Sequence, residues 1–140
     1  MMLGIGTDIV AVERFVPWVD YPEHRLLRVF TPQEIIDCRD ARGNLVAEKL
    51  AVRFAAKEAF YKALSLTFVN LRLSFELFSL LSVCRLISVS YGLHGVPVLV
   101  VDWEALEKLG DVKVSKCVVH VSLAHERAMA LAFVIIEQRV

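Results

Sequence analysis

Two carboxylates and one ammonium group in this chain stand where they could manage a metal-bound phosphate. Asp8 closes a glycine-bearing apolar run, Leu3-Gly4-Ile5-Gly6-Thr7-Asp8-Ile9-Val10. Glu58 and Lys62 lie four apart in Arg53-Phe54-Ala55-Ala56-Lys57-Glu58-Ala59-Phe60-Tyr61-Lys62, a helical pattern with Arg53 and Lys57 in a neighbouring row. Magnesium favours one or two carboxylates plus phosphate oxygens over an all-protein cage. A carboxylate at a strand end, a second on a helix and cations one turn away have that composition. Taken alone, Glu58 and Lys62 are first of all a solvated helix face, and Asp8 is as readily a turn residue as a ligand.

Other chemistries are less well specified. Gly4-Ile5-Gly6 lacks the third glycine and the following helix of a dinucleotide fingerprint. Its glycines fit close backbone packing around Asp8 instead. His120-Val121-Ser122-Leu123-Ala124-His125-Glu126 is a second polar cluster. Alternation puts His120 and Ser122 on one face of a strand, with His125 in the following turn. Ser122 has no Gly-x-Ser-x-Gly elbow, and His120 and His125 lack a third zinc ligand of clear spacing.

The elements that must hold these residues can be traced along the chain. Leu3–Val10 is expected as a buried strand and Val12–Val19 as a short helix ending near Tyr21-Pro22. Thr31-Pro32-Gln33-Glu34 has the form of a capping box with proline at the first helical position. That helix is expected to reach about Arg42, with Gly43 as its left-handed cap. Asn44 is expected to cap a long helix from Leu45 to about Leu64, with alanines at 47, 51, 55, 59 and 63 on one face. Leu86–Tyr91 and Val96–Val101 are expected strands. Trp103–Leu109 is an expected helix capped by Asp102 and ended by Gly110. Val112–Leu123 and Ala128–Glu137 complete the pattern as two long strands. Strands and helices without regular βαβ alternation indicate an α+β fold.

The chain has 140 residues, consistent with one domain over 1–140. Its sixteen basic and sixteen acidic residues balance, which removes any global-charge argument for nucleic acid. The composition is 56 % hydrophobic, with a mean hydropathy of +0.55. That excess points to apolar surface covered by other subunits. Asn70, Arg72 and Glu76 interrupt the apolar stretch 66–83, which excludes a membrane span of about 20 apolar residues. The start of the sequence lacks the basic region of a signal peptide. Cys38, Cys84 and Cys117, odd in number and far apart, read as reduced thiols of a cytoplasmic protein.

Four segments change the weight of these readings when taken together. Gly-Ile-Gly-Thr-Asp-Ile-Val at 4–10, Phe-Thr-Pro-Gln-Glu at 30–34, Arg-Phe-Ala-Ala-Lys-Glu-Ala-Phe-Tyr-Lys-Ala-Leu at 53–64 and His-Val-Ser-Leu-Ala-His-Glu at 120–126 occur in order. The chain resembles the holo-[acyl-carrier-protein] synthases, the small bacterial 4′-phosphopantetheinyl transferases, over about residues 2–65 and 84–137. The resemblance implies a small antiparallel sheet packed against a long helix, and transfer of 4′-phosphopantetheine from coenzyme A to a serine of apo-acyl carrier protein. It implies Mg2+ held by Asp8 and Glu58, with Lys62 catalytic against the leaving phosphate. It places Arg53, Lys62, Gly95, Pro97 and His125 against coenzyme A, and Arg14, Arg25 and Arg28 against the carrier protein. It also implies a homotrimer with active sites between subunits.

The resemblance fails where Ser65-Leu66-Thr67 replaces the family's Gly-Thr-Gly after the long helix. The atypical apolar segment at about 66–83 is therefore expected to extend the helix or pack as ordered structure, and to wall the nucleotide pocket without supplying a catalytic group. Two alternatives stand beside the main reading. One is a non-catalytic relative that binds coenzyme A; the other is a metal-independent serine hydrolase using Ser122 and His125.

Overall fold

The computed structural model describes residues 1–114 and 117–139. Strand β1, Met2–Ala11, leads through two 3₁₀ turns, Val12–Phe15 and Pro17–Asp20, into a short helix α1, Glu23–Leu26. Helices α2, Pro32–Asp37, and α3, Ala47–Asn70, follow. A short α4, Leu80–Cys84, precedes β2, Ile87–Tyr91, and β3, Pro97–Val101. Helix α5, Trp103–Gly110, and strands β4, Cys117–Glu126, and β5, Met129–Gln138, end the chain. The strands form a three-stranded antiparallel sheet of order β1-β5-β4 and a separate β2-β3 pair. The α+β expectation is met, with α3 as the helix on which the larger sheet packs.

Alternation explains how β1 meets that helix. Gly4, Gly6, Asp8 and Val10 share the inward face, while Ile5, Thr7, Ile9 and Ala11 face outward. A Cβ on Gly6 would strike the Ala59 carbonyl oxygen and come within 2.7 Å of the Ala63 nitrogen. One on Gly4 would strike the Ala63 carbonyl and the Thr67 hydroxyl. The glycines of β1 and the alanine stripe of α3 thus bring two backbones into contact. Ala130, Ala132, Val134 and Ile136 of β5 complete the buried face.

The boundaries differ from expectation for local reasons. Helix α2 has the full Thr31–Glu34 capping box but stops at Asp37. Gly43, at φ +84°, serves a loop in which Asp40 accepts from the Arg42 and Asn44 amides. The N-cap of α3 is Val46, not Asn44, and α5 ends on Asp111 at φ +50° rather than on Gly110. Gly110 instead admits the Phe78 ring. The expected single helix over 12–19 is two 3₁₀ turns, the second starting at Pro17. Strand β4 begins at Cys117; the earlier part of the expected strand includes residues 115 and 116, which lie outside the described residues.

The apolar segment after Ser65 is ordered, as expected. Helix α3 continues to Asn70, whose side-chain amide donates to the Leu3 carbonyl at 2.7 Å. Beyond it, Phe75 and Phe78 stack at 5.1 Å, and Phe78 meets Phe68 edge-on at 5.0 Å. The three cysteines are free and buried, and burial pushes the Cys38 and Cys84 thiols up to about 11. No helix among the described residues is long and apolar enough to cross a membrane.

Gly6→Ala is expected to cost about 1–3 kcal/mol, the usual range for overpacking, since the obstructing atoms are backbone. Urea denaturation of the two proteins checks this; equal midpoints would refute the close contact.

Candidate active site

One buried ion pair fixes α3 before any reactive group is considered. The Lys57 and Glu34 side chains are 0 % and 1 % exposed, with Nζ 2.7 Å from Oε1. Lys57 also donates to the Cys84 and Ile87 carbonyls at 2.8 Å each. Glu34 accepts from the Thr31 amide through Oε1 and from the Val89 amide through Oε2. All three ammonium protons and both carboxylate oxygens are therefore used, as burial of charge requires. Burial draws the Lys57 pKa below the ordinary lysine value, and the adjacent Glu34 carboxylate opposes that shift. Spacing alone groups Lys57 with Arg53 as a phosphate-binding cation; its burial and its partners make it a tether instead.

One helical position further on, Glu58 faces the end of β1. Lys62 Nζ lies 3.0 Å from Asp8 Oδ1 and donates to the Thr7 carbonyl at 3.0 Å. It remains half exposed, so one N–H is left for a ligand. The other oxygen of Asp8, Oδ2, is buried without a hydrogen-bond donor. Glu58 has its pKa raised, first by burial and then by hydrogen-bonding contact with Asp8 and the charge of that carboxylate; Lys62 and Arg14 oppose the rise. Two facing carboxylates, one with a buried orphan oxygen, form a site of unmet negative charge. Among the described residues no group of three or more His, Cys, Asp or Glu could hold a metal. That leaves the sparse carboxylate set suited to magnesium with phosphate oxygens. The residues present fit such an ion.

A cavity of about 560 Å³ opens along the same helix, lined by Asp37, Glu48, Lys49, Val52, Arg53, Ser90, Tyr91 and His125. Arg53 is 3 % exposed, donates from Nη1 to the Lys49 carbonyl and carries its guanidinium 5.4 Å from the centre of the Tyr91 ring. Its Nε is buried without an acceptor. His125 sits 2.9 Å from the Glu48 carboxylate. It belongs to strand β4, opposite Ala130, rather than to the turn in which it was expected. Pro97 pairs with Tyr91 across the β2-β3 hairpin, which puts it behind the cavity wall. Gly95, at φ +72°, shapes the connecting turn and does not line the cavity. Nor does any residue of 66–83, contrary to expectation: the aromatic cluster draws that segment onto α3 and α5.

The remaining candidates separate in space. Arg14 is exposed, with its guanidinium 5.0 Å from the Phe54 ring centre. Arg25 lies 3.8 Å over Tyr21, which stacks on Trp18, and Arg28 is exposed. Ser122 and His125 stand three apart on a strand and so face opposite sides of the sheet. His120 pairs with Glu137 at 3.2 Å. A Ser122–His125 nucleophile pair has no geometric support. Spacing from Arg53 could have found Lys49, one turn earlier on the same face. Glu48, Ser90 and Tyr91 reach the cavity only through tertiary pairing.

Residues 4–97 match the profile of the 4′-phosphopantetheinyl transferase superfamily, the ACPS family. The holo-[acyl-carrier-protein] synthase of Treponema pallidum subsp. pallidum is 39 % identical over 137 residues, covering 98 % of this chain and 97 % of that one. The chain belongs to the holo-[acyl-carrier-protein] synthase family. Its fold superposes on a Chronobacterium ammoniagenes ACPS–CoA complex with a TM-score of 0.75 at 25 % identity, covering 100 % and 99 % of the two chains. A Bacillus anthracis holo-(acyl-carrier-protein) synthase in complex with CoA (3′,5′-ADP) gives a TM-score of 0.66 at 27 % identity, covering 99 % of each. Family membership agrees with the expected fold and motifs.

Glu58→Gln is expected to raise the melting temperature of the metal-free protein. Because the folded pKa of Glu58 is raised, its stabilising contribution is complete at low pH and is lost as pH climbs through that value. The glutamine cannot ionise, so its advantage grows as pH rises above the ordinary glutamate value of 4.5 and disappears in acid. Thermal melts in EDTA on both sides of that value test the sign.

Proposed function

We propose that this chain transfers 4′-phosphopantetheine from coenzyme A to a serine of apo-acyl carrier protein, releasing adenosine 3′,5′-bisphosphate. The observation that carries the reading is the placement along α3 of both the cluster that Glu58 and Lys62 form with Asp8 of β1 and the Arg53-bearing cavity. One end meets a pyrophosphate; the other meets a nucleotide. The serine hydroxyl attacks the β-phosphorus that bears pantetheine, losing its proton to water as the new P–O bond forms. The bond from that phosphorus to the bridging oxygen breaks, and its electron pair leaves with the adenosine 5′-phosphate. Lys62, held by Asp8 and Thr7, turns its remaining N–H toward that departing charge. Asp8 and Glu58 would hold Mg2+, which supplies neutralisation of phosphate charge. Arg53 and His125 would contact the nucleotide, with Pro97 supporting the cavity wall from behind.

The same reading extends to assembly and docking. Ile5, Ile9, Leu131 and Phe133 are 36–58 % exposed on the outer face of the main sheet. Ile9 lies opposite Leu131, and Thr7 opposite Phe133, so the patch is continuous. Further copies of the chain would cover it in a homotrimer. Arg14 borders the carboxylate pair, and Arg14, Arg25 and Arg28 would steer an acidic carrier protein. Buried free thiols accord with a cytoplasmic setting.

Incubation with apo-acyl carrier protein, coenzyme A and magnesium is expected to add one phosphopantetheine by intact mass. Asp8→Ala and Glu58→Ala should each lower turnover at least about a hundredfold, the scale of lost electrostatic stabilisation. An unmodified carrier in the wild-type assay, or near-normal turnover in either variant at limiting magnesium, would refute the assignment. Ile9→Glu combined with Phe133→Glu should reduce the particle to a folded monomer by light scattering; an unchanged mass would place the interface elsewhere.

A further inference from the structure

The Glu34–Lys57 pair lies one helical turn from the cavity rather than deep in an unrelated part of the core. Lys49, Arg53 and Lys57 follow at steps of four on one face of α3, and the first two line the cavity. Ser90 and Tyr91 of β2 form another wall, with Tyr91 5.4 Å from the Arg53 guanidinium. Lys57 grips the carbonyl of Ile87, at the start of β2, and Glu34 grips the amide of Val89, the residue before Ser90. The two walls are therefore tied to each other through this one pair, with Cys84 and Thr31 closing the network.

We propose that Glu34 and Lys57 are positioning residues for nucleotide binding, setting the separation of Arg53 from Tyr91 across the cavity. Neither touches the ligand. The ammonium sets the height of the α3 wall against β2, and the carboxylate sets the height of β2 against the α2 cap. Arg53 contributes its guanidinium from a buried position with Nε unpaired, so it has little freedom to follow a displaced partner. This proposal rests on the coenzyme A reading of the cavity and deepens it.

The test is calorimetric titration of adenosine 3′,5′-bisphosphate into metal-free protein, alongside KM for coenzyme A and kcat. Glu34→Gln with Lys57→Met removes both charges together, so neither is left buried alone. Binding is expected to weaken at least about tenfold, with KM rising by more than kcat falls, because lost ground-state contacts appear in KM. Glu34→Asp keeps a carboxylate opposite Lys57 but shortens its reach by one methylene, so it should show a smaller loss of the same kind; it carries the test if the double variant does not fold. Leu106→Ala, in the fully buried core of α5, serves as a control that lowers the melting temperature. It should bind as the wild type does. Binding within about twofold of wild type in the Glu34 variants, or an equal loss in Leu106→Ala, overturns the positioning role. Absence of binding by the wild-type protein instead refutes the underlying coenzyme A reading, and the proposal with it.

Discussion

The contact between the backbone of β1 and the backbone of α3 is the constraint from which the site follows. Gly4 and Gly6 leave no side chain between strand and helix, and Ala59 and Ala63 supply none from the other side. At that distance a strand residue two positions on, Asp8, comes directly beside side chains from the neighbouring turns of the helix. The carboxylates of Asp8 and Glu58 are thus forced together by apolar packing that gains nothing from their meeting. Burial first, then the contact with Asp8 and its charge, raises the Glu58 pKa, and Asp8 Oδ2 is buried without a donor. Lys62 offsets only part of that rise. A divalent cation carrying phosphate oxygens would supply the charge that the proposed reaction needs there.

The second constraint is charge buried on the far side of the same helix. Burying an ammonium and a carboxylate is costly, and removal of one partner typically destabilises by about 3–5 kcal/mol. Here every proton and each oxygen is satisfied, and the partners come from four separate elements. Helix α3 is consequently held on one side by close packing and on the other by directional bonds. Glu58, Lys62 and the cavity-lining Arg53 belong to this same helix. That arrangement leaves it little rotational freedom, which suits a helix carrying both Glu58 and Arg53.

The apolar segment after Ser65 extends this frame without disturbing it. Without glycine to permit a left-handed cap, α3 continues to Asn70, and its extra turn is tied to β1 by the Asn70–Leu3 bond. The chain turns only at Arg72, at φ +55°. Phe68, Phe75 and Phe78 then return the segment to the body of the fold. The last turn of α3 and this aromatic cluster reinforce the end of the helix away from the cavity.

The sequence alone determined the elements whose signals are local. The capping box at Thr31–Glu34, the alanine stripe of α3 and the α+β class were legible, because each depends on spacing within segments; continuation of α3 past Ser65 was one of two conformations the apolar pattern allowed. The motif set also named the family and the residues Asp8, Glu58 and Lys62. The ends of α2 and the start of α3 were not legible: Gly43 and Asn44 carry strong cap signals, yet the Asp40 loop uses them. Tertiary structure alone decided the fate of the cations on α3. Arg53 and Lys57 sit one turn apart and look alike in sequence, but Lys57 meets Glu34, 23 positions away, while Arg53 meets Tyr91 and an open cavity. It likewise parted Ser122 from His125, and brought Glu48 to His125 from across the chain. Spacing can say which residues share a face of a helix or strand; only the packing of other elements says whether that face meets a carboxylate, a ligand or water.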